Sequence, residues 1–275
     1  MNKRLLQKFK PETILIHPDN NDRSVFYAIV LAFILKNKYK KLEIDFILEK
    51  KYRFLRELIP FKTGKIDTDK YYDFYISLQK DYKTVWKYRI LSARARFGIS
   101  QPLSNKFFDM ILVNEDNPRL IIEDFCKILN IDITANIYFN QMELKPYIKR
   151  KETLFISPYN RKITDLISQR IEKRNYKLIY SDNYTLEELL TVIIHNYEKV
   201  IVLNSSFDHF ISFIRREKTE ILFSSINHQQ HFYSKQTQIN PIKYTCSPCN
   251  IDSVFCPLKD EDKKYLCLKN GIYSF

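Results

Sequence analysis

Short β-branched apolar runs alternate with helical segments along nearly the whole chain, and this alternation constrains the fold more than any other feature. Thr13–His17 reads Thr-Ile-Leu-Ile-His, a polar turn runs from Pro18 to Arg23, and the apolar segment from Ser24 to Lys36 predicts a long helix. Leu42–Leu48 predicts a strand, Lys51–Leu58 a helix, Tyr71–Leu78 a strand, Asp81–Ala95 a helix, Asp109–Val113 a strand and Leu120–Leu129 a helix. Strands that alternate with helices predict a parallel sheet covered on both faces. Between Gln141 and Glu152 the pattern lapses into a charged, proline-containing stretch, which reads as an interdomain linker. The alternation then resumes with strands at Thr153–Ser157, Lys177–Tyr180, Lys199–Leu203 and Glu220–Phe223, and helices at Lys162–Lys173, Leu186–Asn196 and Phe207–Arg215. The expectation is an α/β chain of two Rossmann-like domains, 1–145 and 153–275, each long enough to bury its own core.

Composition narrows the chemistry. With 3 glycines in 275 residues, the chain has no glycine-rich phosphate loop of the Walker or dinucleotide type. Lys and Arg total 45 against 32 acids, a formal charge of +13 that attracts nucleic acid, phospholipid, lipid phosphates or a nucleotide diphosphate. The lysines are scattered, as AT-rich coding drift also produces, so charge ranks partners without choosing one. The basic start has no apolar core and is not read as a signal peptide. The longest apolar run, Val25 to Leu35, is shorter than the roughly 18 residues that span a bilayer. A cytoplasmic protein, able to rest on the inner face of a membrane, is expected.

In parallel α/β sheets, ligands bind beyond the carboxyl ends of the strands, so the turns that follow strands are where chemistry is sought. The first such turn, His17-Pro18-Asp19-Asn20-Asn21-Asp22-Arg23-Ser24, offers two carboxylates at the mouth of a helix. Either a carboxylate serves there as a general base, or Asn21 or Asp22 caps the helix, both being preferred cap residues. In the second half, Leu154-Phe155-Ile156-Ser157-Pro158-Tyr159-Asn160-Arg161-Lys162 is a strand, a turn and a helix start, an arrangement whose free N–H groups and nearby cations suit a diphosphate. Cys246, Cys249, Cys256 and Cys267 begin with a Cys-x-x-Cys knuckle suited to a closed, structural Zn or Fe site, although the later spacings are irregular and the thiols can equally stay free or be redox-active. The remaining Cys126, at helical spacing, reads as a small core residue. Asp67-Thr68-Asp69 lies in a polar stretch before a strand and is discounted as a metal motif.

Five segments, in order and spacing, resemble the ADP-heptose:lipopolysaccharide heptosyltransferases of glycosyltransferase family 9. Ile14-Leu15-Ile16 through Asn21-Asp22 to Val25 and Leu31 is similar to the family's opening strand, its Gly-Asp turn and its helix, with Asn21 in place of the glycine. Tyr72-Asp73-Phe74-Tyr75-Ile76-Ser77-Leu78-Gln79 resembles a Tyr-Asp-x-x-Ile-Asp-Leu-Gln strand, and Arg96-Phe97-Gly98 a later Arg-Ile-Gly. Ser157 and Lys162 match the donor-phosphate loop, with Asn160 and Arg161 beside them, and Thr185 to Leu189 matches the helix before the next strand. Asn204-Ser205-Ser206-Phe207-Asp208-His209 resembles an Asp-Ser/Thr-Gly-x-x-His loop, with Asn204 in place of the acid and Ser206 in place of the glycine.

The resemblance implies a GT-B architecture, with two parallel-sheet domains facing a central cleft. It implies metal-independent inverting transfer of a heptose or related hexose from a nucleotide diphosphate donor such as ADP-heptose to a lipid-linked or other glycan acceptor of lipopolysaccharide type. Asp22 takes the place of the base. Ser157, Asn160, Arg161, Lys162, Asn204, Ser205 and His209 take the donor, and Arg96 either contacts an anionic acceptor or serves the scaffold. Many chains of this kind carry a comparable cysteine tail, and one branch binds iron through it. The alternative is a non-catalytic relative that retains sugar or partner binding, since Asn204, Ser206 and Asn21 depart from the family pattern. Nucleic acid is not expected as a partner, because no reading helix or aromatic ribonucleoprotein motif accompanies the charge.

Overall fold

The structure is a computed structural model that describes residues 3–57, 59–63, 66–100, 103–112, 118–131, 150–157, 176–180, 183–185, 187–188, 197–203, 219–223 and 237–241. The chain divides into two compact units, Met1–Met142 and Glu143–Phe275.

The first unit holds a six-stranded sheet in the order β3-β2-β1-β4-β5-β6. Its strands are β1 (Thr13–His17), β2 (Glu43–Phe46), β3 (Lys62–Thr63), β4 (Tyr72–Ser77), β5 (Ala93–Ile99) and β6 (Met110–Leu112), and every pairing is parallel. Helix α1 (Lys3–Lys8) precedes β1, α2 (Asp22–Lys38) joins β1 to β2, α3 (Tyr82–Lys87) joins β4 to β5, and α4 (Pro118–Ile128) follows β6. A 3₁₀ helix at Lys50–Glu57 joins β2 to β3. β1 is central, and Ile14, Leu15, Ile16 and His17 are all buried, as a strand covered on both faces requires. From Ser24 to Leu35 every residue of α2 is buried, between β1 and α4, which explains why this helix is apolar all round.

The alternation read from the sequence is present, with corrections. The segment Asp81–Ala95 is not one helix: α3 stops at Lys87 and β5 begins at Ala93. Ala and Arg favour helices in isolation, but Ala93-Arg94-Ala95-Arg96-Phe97 also alternates. Ala95 and Phe97 are buried while Arg94 is exposed, and pairing with β4 and β6 selects the strand. The two-residue edge strand β3 carries no sequence signal of its own. α4 starts at Pro118, two residues earlier than expected, with proline at the first helical position where a missing N–H costs nothing.

Asp73 and Tyr72, from the family-like strand motif, serve the scaffold. Asp73 Oδ2 accepts from the backbone N–H groups of Glu12 (2.7 Å) and Thr13 (3.1 Å), which ties the start of β1 to β4. Tyr72 donates to Asp45 Oδ2 at 2.9 Å, and Lys70 pairs with the same oxygen at 3.0 Å.

The second unit holds a five-stranded parallel sheet, β11-β10-β9-β7-β8, built from β7 (Arg150–Ser157), β8 (Tyr176–Tyr180), β9 (Tyr197–Leu203), β10 (Thr219–Phe223) and β11 (Thr237–Pro241). Counted within the unit, the order is 2-1-3-4-5, the other common doubly wound arrangement. Strand β7 begins at Arg150, inside the stretch read as a linker, and β11, polar and ending in proline, was not expected; proline is tolerated on such an edge strand. The expected helices at 162–173 and 207–215, most of that at 186–196, and all four cysteines of the cluster lie outside the described residues.

Gly98 explains one residue of the family-like Arg-Phe-Gly run. A Cβ there would lie 2.1–2.3 Å from ring atoms of the buried Phe108, closer than any side chain tolerates. Gly98→Ala is expected to lower stability by about 1–3 kcal/mol through overpacking, read as a lower denaturant midpoint with an unchanged slope.

Candidate functional site

The order of the first sheet reverses between β1 and β4: β2 and β3 lie on one side, β5 and β6 on the other. Beyond the carboxyl ends of such a strand pair the covering connections diverge, leaving a crevice. His17 pairs in register with Ser77, so the turn after β1 and the Leu78-Gln79-Lys80-Asp81 turn after β4 emerge together at this point. Two bonds hold them: Leu78 N–H donates to the His17 carbonyl at 2.8 Å, and the buried Gln79 amide donates to the Pro18 carbonyl.

Within the first turn the polar side chains divide the work. Asn21 is the N-cap of α2; its Oδ1 accepts from Ser24 N–H at 2.8 Å. Asn21 stands in extended backbone (φ −139°, ψ 151°), so the turn needs no left-handed residue, and asparagine supplies a cap that glycine lacks. Asn21 Nδ2 donates to Asp19 Oδ2 at 2.8 Å, and Asp19 N–H donates to Ser24 Oγ at 2.8 Å. With Asn21 as the cap, Asp22 occupies the first helical position and its carboxylate is not used for capping.

That carboxylate has another partner. Tyr52, buried on the 3₁₀ helix after β2, donates its hydroxyl to Asp22 Oδ1 at 2.7 Å. Burial, and then the hydrogen bond and charge of Asp22, raise the Tyr52 phenol well above its ordinary range, so Tyr52 stays a donor at physiological pH. A charge-assisted bond of this kind contributes about 1.5–3 kcal/mol and holds one carboxylate oxygen in place. Lys51 places its ammonium 3.4 Å from the Asn20 carbonyl and 4.8 Å from the centre of the Tyr52 ring. Arg23 has its Nε buried with no hydrogen-bond partner among the described residues.

Beneath the turn, His17 Nδ1 shares a 2.9 Å hydrogen bond with Tyr75 Oη, and the His17 ring lies edge-on to Tyr88 at 4.6 Å. Burial lowers the imidazole pKa from its ordinary 6.5 to about 3, so His17 is a neutral structural group. Tyr52, Gln79 and the His17–Tyr75 pair were not assigned roles from the sequence. Gln79 was visible as the end of the Leu-Gln motif, whereas nothing in Lys51–Leu58 marks Tyr52 as facing Asp22.

Arg96 lies mid-strand in β5, and its guanidinium donates to the carbonyls of Arg89 (3.1 Å) and Leu91, holding the α3–β5 turn. One guanidinium nitrogen, Nη2, is thereby used by the turn. Asp67 turns its Oδ1 back onto Asp69 N–H at 3.0 Å, a local turn. Among the described residues no group of three or more His, Cys, Asp or Glu is placed to hold a metal ion.

In the second unit the order reverses between β7 and β9, which end at Ser157 and Leu203. The chain continues from those two strand ends into Asn160, Arg161 and Lys162, and into Asn204, Ser205 and His209. Ser157 is the last residue of β7, and the other six lie outside the described residues. Before β9, Thr185 and Glu188 form a reciprocal capping pair: Glu188 Oε2 accepts from Thr185 N–H at 2.8 Å, and Thr185 Oγ1 accepts from Glu188 N–H at 3.2 Å.

No family model matches the sequence, and no curated protein matches it. Solved structures do. The E. coli heptosyltransferase WaaC with ADP superposes with a TM-score of 0.60 at 11% identity over 84% of this chain and 93% of that one. The glycosyltransferase family 9 protein of Veillonella parvula gives 0.60 at 12% identity over 96% and 95%. The dodecameric iron-containing heptosyltransferase TibC, in complex with ADP-D-beta-D-heptose, gives 0.53 at 10% identity over 96% and 76%. The chain therefore has the heptosyltransferase-like GT-B fold, made of two parallel α/β units.

The buried imidazole makes stability depend on pH. Unfolded, His17 takes a proton as pH falls through about 6.5; folded, it does so only near 3. Between those values the unfolded state binds the extra proton, so stability falls as pH drops, by about 1.4 kcal/mol per unit at most. From pH 7 to pH 5 the expected loss is about 2 kcal/mol by this linkage. In His17→Gln, which keeps a hydrogen-bonding group but does not titrate, denaturant midpoints at the two pH values are expected to differ by correspondingly less.

Proposed function

We propose that the chain is an inverting glycosyltransferase that uses a nucleotide diphosphate sugar, with heptose or a related hexose as the donated group and a lipid-linked or other glycan as acceptor. The carrying observation is Asp22: a carboxylate released from capping by Asn21, anchored by Tyr52, at the switch point of a sheet whose fold is that of heptosyltransferases. Two of those structures hold ADP or an ADP-heptose, which supports an ADP-linked donor here.

In this reading the Asp22 carboxylate accepts the proton of the acceptor hydroxyl as that oxygen attacks the anomeric carbon. The bond from that carbon to the diphosphate breaks, the configuration inverts, and the nucleotide diphosphate leaves with the electron pair. Ser157 and Lys162, with Asn160 and Arg161, neutralise the developing negative charge, and the helix start that the sequence predicts after Ser157 would add free N–H groups to the effect. Asn204, Ser205 and His209 contact the donor. Asn204 accepts hydrogen bonds from a sugar without carrying a charge, which moves donor preference away from enzymes that have an acid at this position. No metal takes part in the transfer. Tyr52 acts through Asp22 as a positioning residue.

The test pairs turnover with binding. Asp22→Asn keeps the shape and the oxygen that Tyr52 bonds, and removes the base; kcat is expected to fall by about 10²–10⁴ while the thermal shift induced by ADP is unchanged. Tyr52→Phe is expected to lower kcat by about tenfold or more through lost positioning, with little change in KM. Full turnover in Asp22→Asn excludes the assigned base. An ADP shift with no turnover in the wild type favours the second reading, a non-catalytic sugar-binding relative, which the departures at Asn204 and Ser206 support.

A structural Zn or Fe held by Cys246, Cys249, Cys256 and Cys267 belongs to the same proposal. Its support is the opening Cys-x-x-Cys spacing, a four-thiolate donor set suited to either metal, and the iron-containing relative. Elemental analysis of the purified full chain is expected to find about one metal per chain, lost in the double variant Cys246→Ser, Cys249→Ser. A metal-free wild type purified without chelator counts against it.

A further inference from the structure

The outer face of α3 and the 3₁₀ turn at Ser104–Lys106 carries large apolar side chains that the first unit leaves uncovered. Trp86 is 41% exposed, Tyr82 37%, Ile90 66% and Leu103 46%. Three aromatic rings unite the two segments: Tyr82 lies 6.4 Å from Trp86, and Phe107 lies 6.3 Å from Tyr82 and 4.8 Å from Trp86. Val85, on the opposite side of α3, is buried in the core with Tyr72, Tyr75 and Phe108, so the helix is amphipathic in the usual sense, yet its outer face is aromatic.

Leu103 adds an independent sign. It stands at φ 64°, in the left-handed region, where a leucine costs about 1–2 kcal/mol. The other such non-glycine among the described residues is Asn130, a type that tolerates this conformation. The Leu103 carbonyl accepts from Lys106 N–H at 2.9 Å, which starts the 3₁₀ turn, while its side chain stays 46% exposed.

The charge around the face has one sign. Lys83, Lys87, Arg89 and Lys106 are exposed, and the Arg89 guanidinium lies 4.3 Å from the Trp86 ring centre. The two neighbouring acids are engaged: Asp81 caps α3 through Lys83 N–H and Thr84 N–H, and Asp109 accepts from Arg96 N–H.

We infer that the Tyr82–Trp86–Phe107 face, with Ile90, Leu103 and the surrounding basic residues, docks on the surface of an anionic lipid bilayer. Trp and Tyr settle at the boundary between headgroups and acyl chains. Isoleucine and leucine enter the acyl margin, where nucleic acid would give them nothing. Lysine and arginine reach from an apolar base to lipid phosphates. The formal charge of +13 complements such a surface. No described helix is long and apolar enough to cross a membrane, so the contact is peripheral. Tyr88, the C-cap of α3, packs on His17, so this helix adjoins the end of β1 from which the turn carrying Asp22 departs. Docking itself does not rest on the transferase reading; only the consequence that a lipid-borne acceptor is delivered to Asp22 does.

Trp86 is the single tryptophan of the chain, so tryptophan emission, excited selectively over the tyrosines, reports on this face alone. The full-length protein is titrated with vesicles of phosphatidylglycerol and phosphatidylethanolamine, and separately of phosphatidylcholine. A blue shift and quenching by brominated acyl chains are expected with the anionic vesicles, reversed by salt, and little change with phosphatidylcholine. The double variant Lys83→Gln, Lys87→Gln is expected to weaken partitioning by on the order of ten- to thirtyfold. Leu103→Gly relieves the strained φ, so it is expected to melt no lower than wild type while binding vesicles less tightly. That result separates docking from folding.

Co-sedimentation with anionic vesicles that leaves Trp86 emission unmoved overturns the proposal, as does an absence of binding. A blue shift that grows with protein concentration and needs no lipid also overturns it, in favour of a second copy of the chain. Vesicle binding that persists where ADP gives no thermal shift leaves this surface standing and counts against the transferase reading alone.

Discussion

The parallel pairing of β1 with β4 is the interaction on which the first unit depends. Ile14, Leu15, Ile16 and His17 pair with Phe74, Tyr75, Ile76 and Ser77, and side-chain bonds secure both ends: Asp73 to the backbone before β1, Gln79 to the backbone after it. β2 then lies on the far side of β1 and β5 on the far side of β4, and the connections part company at the carboxyl end. A buried parallel pair cannot slip by one residue without turning its apolar side chains to the wrong face. The position of the turn carrying Asp22 therefore follows from the pairing.

Four carboxylates of the unit are committed to the scaffold. Asp73 binds backbone N–H groups, Asp45 pairs with Lys70 and Tyr72, Asp81 caps α3, and Asp109 binds Arg96 N–H. Asp22 differs because Asn21 has taken the capping role and the partner of Asp22 is a phenol from another element. One of its oxygens is anchored while the other is not engaged by the capping bonds, the arrangement that a positioned proton acceptor needs. Beneath it, the neutral His17 and Tyr75 satisfy one another in the dry interior. The turn thus rests on a paired polar contact rather than on an uncompensated charge.

The second unit reaches a comparable geometry by a different strand order. Its switch point lies between β7 and β9, and the two segments that run on from those strands carry Asn160, Arg161 and Lys162, and Asn204, Ser205 and His209. Rossmann-like units with different orders, 3-2-1-4-5-6 and 2-1-3-4-5, both place ligand-binding turns where the sheet reverses. Near-absence of glycine is compatible with this, because a diphosphate can be held by helix N–H groups and cations without a glycine-rich loop.

The sequence by itself determined the alternation of strands and helices, the apolar central strands and the long buried α2, because hydrophobic periodicity is local and survives without neighbours. It also offered Asp19 and Asp22, by their place after a first strand, and the family resemblance chose Asp22 between them. It left open whether Asp22 was a cap, and it carried the helix begun at Asp81 on through Ala93–Ala95, because each answer depends on a partner distant in the chain. The choice of Asn21 as cap turns on the path of the backbone into α2. The assignment of Asp22 turns on Tyr52, thirty residues away, brought close only when β2 pairs with β1. Ala95 and Phe97 became strand residues because β4 and β6 flank them, and Gly98 was required because Phe108 packs where a side chain would go. The aromatic face of α3 belongs to the same class: only the folded unit shows which side of that helix the core covers.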